Sequence, residues 1–180
     1  GAKRACSGVL KAPMDPLDRL RQEKFLSEGE LTSVRARMAS AREDWASAVF
    51  ALKPKPEPEI VRLLALISGY PGIELGRSGM PLTHLDLIPE EMIRKQLVLP
   101  IVELEDDLIV AMAHPDDNSL VSELEFMNGR KILRHVAIPA LLRASIDTCY
   151  NLKNSGDSYW RGKEGWHLSP RPEGRAQIVK

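Results

Sequence analysis

The chain has 180 residues, 43% of them apolar and 28% charged, with 25 Lys and Arg balanced by 25 Asp and Glu. Zero net charge argues against a dedicated nucleic-acid binder, and no apolar run nears the roughly 18 residues of a membrane span. Cys6 and Cys149 are too few for a disulfide framework or a four-ligand zinc site, and they point to a reducing cytoplasm. No apolar core of about 7–15 residues follows the N-terminus, so no signal peptide is visible, and the opening Gly1-Ala2 suggests a piece of something longer.

Residues 1–15 are small, polar and irregular, and read as a flexible lead-in. Asp15-Pro16 offers a helix start, with Asp as the cap and Pro at the first helical position. Leu17, Leu20 and Phe25-Leu26 extend that helix to about Leu26. Ser27 and Glu30 have the spacing of a capping box. Leu31, Val34, Met38, Ala41, Trp45, Ala48 and Leu52 then alternate three- and four-residue steps, which predicts one long helix over 31–52. That helix lies on its own domain's core or, in a sharper reading, forms a coiled-coil dimer. Lys53-Pro54-Lys55-Pro56-Glu57-Pro58 follows, and alternate prolines remove backbone donors and stiffen the chain. Residues 53–58 are thus expected to be a spacer between a helical portion, 16–52, and the rest.

Residues 59–68 read as a helix that Gly69 ends. A small strand at 73–75 and a loop at Gly76-Arg77-Ser78-Gly79 come next, then a helix over 89–97. The runs 98–104 and 108–113 are strand-like and so close together that an antiparallel hairpin is the natural connection. The second run is apolar at nearly every position, as expected for burial on both faces. His114-Pro115-Asp116-Asp117 is turn chemistry leading into a helix at 120–127, closed by Asn128-Gly129. Residues 131–138 read as a strand, and 139–150 as a helix burying Leu141, Leu142, Ser145, Ile146 and Cys149. This order predicts an α+β fold over 59–150, a compact α/β sandwich with a small, mostly antiparallel sheet after the helical portion. Residues 151–180 lose periodicity and read as a linker or surface-docked tail. Their Tyr159, Trp160 and Trp166, interleaved with six basic residues, allow stacking on a single-stranded nucleic acid as an alternative.

The search for chemistry yields no catalytic set. No phosphate loop of the Gly-x-x-x-x-Gly-Lys-Ser/Thr kind exists, no Gly-x-Gly-x-x-Gly follows a strand, and Gly76-Arg77-Ser78-Gly79 lacks the spacing of a nucleophile elbow. His84, His114, His135 and His167 are scattered. Asp116 and Asp117 beside His114 suit a helix cap better than a cation. Glu103, Glu105, Asp106 and Asp107 sit in a solvated turn, and Cys149 reads as a buried, inert thiol. No metal, cofactor or enzymatic activity is expected.

Leu64-Ala65-Leu66-Ile67-Ser68-Gly69-Tyr70-Pro71-Gly72-Ile73-Glu74-Leu75 resembles the lead of the N-terminal domain of type II secretion and type IV pilus assembly ATPases. Leu99-Pro100-Ile101, Leu108 to Asp117, Phe126 to Ile132 and Ile146 to Tyr150 resemble later parts of that domain, in order and spacing. The resemblance covers roughly 60–150. It implies a cytoplasmic docking or regulatory domain, peripheral to the inner membrane, that precedes an ATPase core in full-length relatives. Its implied partner is the cytoplasmic part of an inner-membrane secretion or pilus platform protein, with no direct nucleic acid and no membrane insertion. A branch of the family binds cyclic di-GMP through two arginine-glycine motifs in the helical portion, which gives the alternative function. Here Asp15 stands at the first motif's arginine, and Leu17 and Lys24 at its glycines. In the second motif Arg42 matches the arginine and is the candidate ligand residue, while Glu43-Asp44 replaces Leu-Gly and Ala51 stands at the later glycine.

Overall fold

The structure, a computed structural model, describes residues 14–180, so the expected lead-in lies outside it except for Met14 and Asp15. Helix α1 (Pro16–Gln22) starts as its sequence dictates: Asp15 Oδ1 accepts the Leu17 amide at 3.0 Å, and Pro16 occupies a position that needs no donor. It ends earlier than expected. Lys24 turns left-handed, with φ of 51°, and Phe25 and Leu26 drop into the core from a loop. Helix α2 (Glu28–Ala41) carries the capping box, with Glu30 N donating to Ser27 Oγ at 3.2 Å and Ser27 N to Glu30 Oε2 at 2.7 Å.

The single helix expected over 31–52 is in fact two. Arg42 takes φ of 53°, and Asp44 caps a new helix, α3 (Trp45–Leu52), accepting both the Ser47 amide at 2.8 Å and the Ser47 hydroxyl at 2.7 Å. A stripe of three- and four-residue steps keeps its phase across such a break, so periodicity alone did not reveal it. The coiled-coil reading falls with the long helix, since Leu31, Val34, Trp45 and Ala48 are buried within this chain. The Pro-rich run joins α3 to helix α4 (Glu57–Ser68), where Pro58 sits in the first turn. Ile60, Val61 and Leu63 of α4 share one core with Leu17, Leu20, Leu31, Val34, Trp45 and Val49, so the prolines connect two helices of the same core.

Gly69 caps α4 left-handed and Gly72 begins strand β1 (Gly72–Pro81). This strand is far longer than the expected 73–75. Gly76-Arg77-Ser78-Gly79 lies inside it, at a bulge between Glu74 and Gly79, and is not a loop. A 3-10 helix (Leu82–Leu87) and α5 (Glu90–Gln96) lead to the hairpin of β2 (Val98–Glu103) and β3 (Asp107–Met112), antiparallel as its short connection requires. Helix α6 (Asn118–Asn128) is capped by Asp117 and closed by left-handed Gly129, both as read from sequence. Strand β4 (Lys131–Val136) and helix α7 (Pro139–Asn154) follow.

The final segment is not a tail. Strands β5 (Tyr159–Arg161) and β6 (Arg175–Val179) both pair antiparallel with β1, and Trp160 is buried. These strands are short, and their partner lies about a hundred residues back, so no local pattern announces them. The sheet runs β2-β3-β4-β1-β5 with β6 also on β1, three pairings antiparallel and two (β3 with β4, β4 with β1) parallel. Against it α5, α6 and α7 bury Ile93, Leu120, Leu124, Leu142, Ile146 and Cys149 in a second core. Leu141 packs on both cores. Ser47 Oγ ties them further by accepting the Ala140 amide at 3.0 Å.

Candidate functional site

A groove of about 510 Å³ runs along the seam between the helical half and the sheet half. The α3–α4 connection supplies Lys53, Pro54, Lys55 and Pro56, and the segment after β5 supplies Lys163. Phe50 and Leu141 give it apolar walls. The geometry follows from local sequence. Lys53 ends α3 in a left-handed conformation (φ of 58°), the chain bends at Pro54 and Lys55, and Pro56 is extended ahead of α4. Lys55 is partly engaged, its Nζ 5.5 Å from the Phe25 ring centroid and 3.9 Å from Glu59.

Glu57 closes one end. Its half-buried carboxylate accepts the Gly76 amide at 2.9 Å, a bond from the first turn of α4 to the bulge of β1. Desolvation pushes its pKa up to about 7, against the Gly76 hydrogen bond, with Glu74 and Glu164 adding to the rise and Arg77 opposing it. Glu74 is only 4% exposed and its Oε1 has no hydrogen-bond partner. Burial raises its pKa as well, with Arg77 opposing and Glu164 reinforcing. Beneath this cluster Ser78 Oγ donates to the Glu74 carbonyl at 2.7 Å and accepts the Gln177 amide at 3.2 Å, which locks β6 onto the bulge. A neighbouring pocket of about 370 Å³ is lined by Arg77, Glu164, His167 and Arg175.

The groove is lined by charged and apolar side chains. Its charged groups are ammonium and carboxylate, and no nucleophile sits against a base. Among the described residues, no group of three or more His, Cys, Asp or Glu is arranged to hold a metal ion. Arg42, the one ligand residue expected from sequence, stands exposed at the α2–α3 joint and does not line this groove. Asp117 is a helix cap, and burial pushes the Cys149 thiol well above its ordinary range. Of the acidic turn, Glu105 and Asp106 are exposed as expected. Glu103 instead pairs with Arg130 at 2.8 Å and lies 3.6 Å from Nε2 of the buried His84, whose Nδ1 donates to the Ile101 carbonyl at 3.1 Å. The aromatics of the alternative stacking reading are dispersed: Trp160 is interior, Tyr159 is half-buried under Arg161, and Trp166 alone of the three is exposed. Glu57 and Glu74 escaped the sequence reading. Glu57 looked like an ordinary first-turn acid, and Glu74 alternated with apolar neighbours as an outward strand residue does.

Residues 68–155 match the MshEN domain family. The type IV pilus assembly ATPase PilB of Myxococcus xanthus (strain DK1622) is 31% identical over 94 residues, which are 52% of this chain and 17% of that protein. Among solved structures, MshE with cdg overlays with a TM-score of 0.53 at 22% identity, covering 76% of this chain and 99% of that one. The N-terminal domain of XpsE overlays with a TM-score of 0.41 at 16% identity, covering 73% and 91%. Among the described residues no helix is long and apolar enough to cross a membrane. The region similar to MshEN domains thus runs from Ser68 through α7 to Ser155, set between four helices and two closing strands.

Proposed function

We propose that the chain is a non-enzymatic docking and regulatory domain of a type II secretion or type IV pilus assembly system. It works at the cytoplasmic face of the inner membrane and binds a cytoplasmic part of a platform protein there. The observation that carries this reading is the MshEN match over 68–155, together with the stretch shared with a pilus assembly ATPase. The absence of a phosphate loop from the sequence supports an accessory role beside an ATPase core. The test is calorimetric titration of the purified chain with the cytoplasmic region of the platform protein encoded beside it. A saturable complex with a micromolar or tighter dissociation constant is expected. No heat at about 100 µM, a concentration well above that of weak specific complexes, would overturn the proposal.

A second reading, a cyclic di-GMP sensor, draws support from one backbone feature. Lys24, at a position where the family motif has glycine, is left-handed as glycine would be, and Arg42, at the second motif's arginine, is exposed. The fold likeness to MshE with cdg is consistent with it. The replacement of the other motif residues places it second. Titration with cyclic di-GMP separates the two: binding abolished by Arg42→Ala would install the sensor reading, and silence would remove it.

A further inference from the structure

Phe126 is 91% exposed, an unusual place for a phenylalanine in a domain with two well-filled cores. Leu120, Val121 and Leu124 hold α6 to the sheet, and on a 3.6-residue period Phe126 points directly away from them. Met127, 40% exposed, is next to it. The end of α6 is fastened to the tip of the β2–β3 hairpin, since Arg130 Nε donates to the Glu105 carbonyl at 3.3 Å and Lys131 N to the Asp106 carbonyl at 2.9 Å. That tip presents Leu104, 41% exposed. Three large apolar side chains are thus left bare at one end of the molecule.

The charges around them have a sign. The segments 104–107 and 123–131 carry Glu105, Asp106, Asp107, Glu123 and Glu125 against Arg130 and Lys131. Arg130 is already paired with Glu103 at 2.8 Å, which leaves the patch rimmed by carboxylate. Rim charges of one sign select and steer a partner of the other, while an exposed aromatic anchor supplies most of the affinity. We propose that the end of the molecule formed by Phe126, Met127 and Leu104 is a docking face for a cationic amphipathic segment of a partner protein. The partner lays apolar side chains over Phe126 and sets Lys or Arg against the acidic rim. A second copy of this chain would bring the same acidic rim and be repelled.

This inference rests on the docking reading and names the face that performs it. The test uses the whole 180-residue chain and two probes. The first is a labelled helical peptide of Leu and Lys with one apolar face, compared with the same peptide carrying Glu in place of Lys. Expected are amide chemical-shift changes confined to 104–107 and 123–131, weakening with added salt, and a loss of affinity of about tenfold or more in Phe126→Ser. The side chain is solvent-exposed, so that variant folds, and its melting temperature confirms it. Shifts elsewhere, equal binding of the acidic peptide, an unaffected Phe126→Ser, or dimerisation through this face would each overturn the proposal. The second probe is the platform protein's cytoplasmic region. If it binds wild type and Phe126→Ser equally, docking stands and this face is wrong. If it does not bind wild type at all, the docking reading fails and the peptide alone decides the face.

Discussion

In the helical half the chain turns left-handed at Lys24, Arg42 and Lys53, residues that carry a Cβ, and at Gly69 where α4 ends. In the sheet half the left-handed turns fall at Gly129, Gly156 and Gly174, with Leu97 the exception. Gly69, Gly129 and Gly156 face open space, so glycine there relieves backbone strain alone. Lys24, Arg42 and Lys53 are exposed, with side chains reaching into solvent. Gly174 instead presses on the backbone of β2, where an added Cβ would collide with the Ile101 carbonyl, and Gly162 presses equally on the Leu75 carbonyl. Tight nonlocal packing demands glycine at 162 and 174, whereas an exposed corner tolerates a Cβ at a strain of roughly 1–2 kcal/mol per residue.

The sharpest way to break this comparison is to put a methyl group where the C-terminal strands close. Gly174→Ala combines a positive φ of 86° with a collision against main chain, and should destabilise the protein by about 3 kcal/mol or more. For a chain of this size that lowers the melting temperature by roughly 6–12 °C. Gly162→Ala should act in the same direction. Were 151–180 a surface-docked tail, as its aperiodic sequence suggests, both substitutions would leave the main transition within about 0.5 kcal/mol of wild type. Calorimetric melts of the two variants distinguish these cases.

A weaker effect, with a distinctive pH signature, is expected at the seam where the halves meet. The folded protein raises the Glu57 carboxyl from its ordinary 4.5 to about 7, chiefly by desolvation. Because the folded value is the higher one, folding favours the protonated form. The contribution is complete below about pH 4.5 and is lost as pH rises through 7. Glu57→Gln should remove that slope and, above pH 7, stabilise the protein by about 1–3 kcal/mol, less whatever the Gly76 hydrogen bond is worth to a charged acceptor. Chemical denaturation at pH 5 and pH 8 measures it, with parallel wild-type and variant profiles as the contrary result. The same seam shows why parts of the fold were hidden in the sequence. The Ser27–Glu30 box, the Asp15-Pro16 start and the Asn128-Gly129 stop are interactions within a few residues and can be read directly. The Glu57–Gly76 bond spans 19 positions, and the pairing of Gln177 with Ser78 spans 99. β1 carries two glycines through its bulge, a composition that reads as loop unless its partners are known. The α2–α3 break is the intermediate case. The Asp44 cap is a local interaction, but an unbroken apolar stripe runs across it and hides the break.

The smallest expected effect concerns the three exposed left-handed residues. Lys24→Gly, Arg42→Gly and Lys53→Gly each remove a Cβ from an unfavourable backbone region, and each also loosens the unfolded chain. Relief of the first kind slightly exceeds the second at an exposed corner, so each should gain roughly 0.5 kcal/mol, about 1–2 °C in melting temperature. The three differ in what else they remove. Lys53→Gly takes an ammonium from the seam groove, Lys24→Gly puts glycine where the proposed sensor alignment has one, and Arg42→Gly deletes the guanidinium on which that alignment depends. If Lys24→Gly stabilises the protein and also produces cyclic di-GMP binding that wild type lacks, the helical half is a ligand site closed by side-chain replacement on an unchanged backbone. If it stabilises without binding, the left-handed corner at Lys24 is an architectural feature of the helical half alone, and the surfaces of residues 68–155 become the place to look for function.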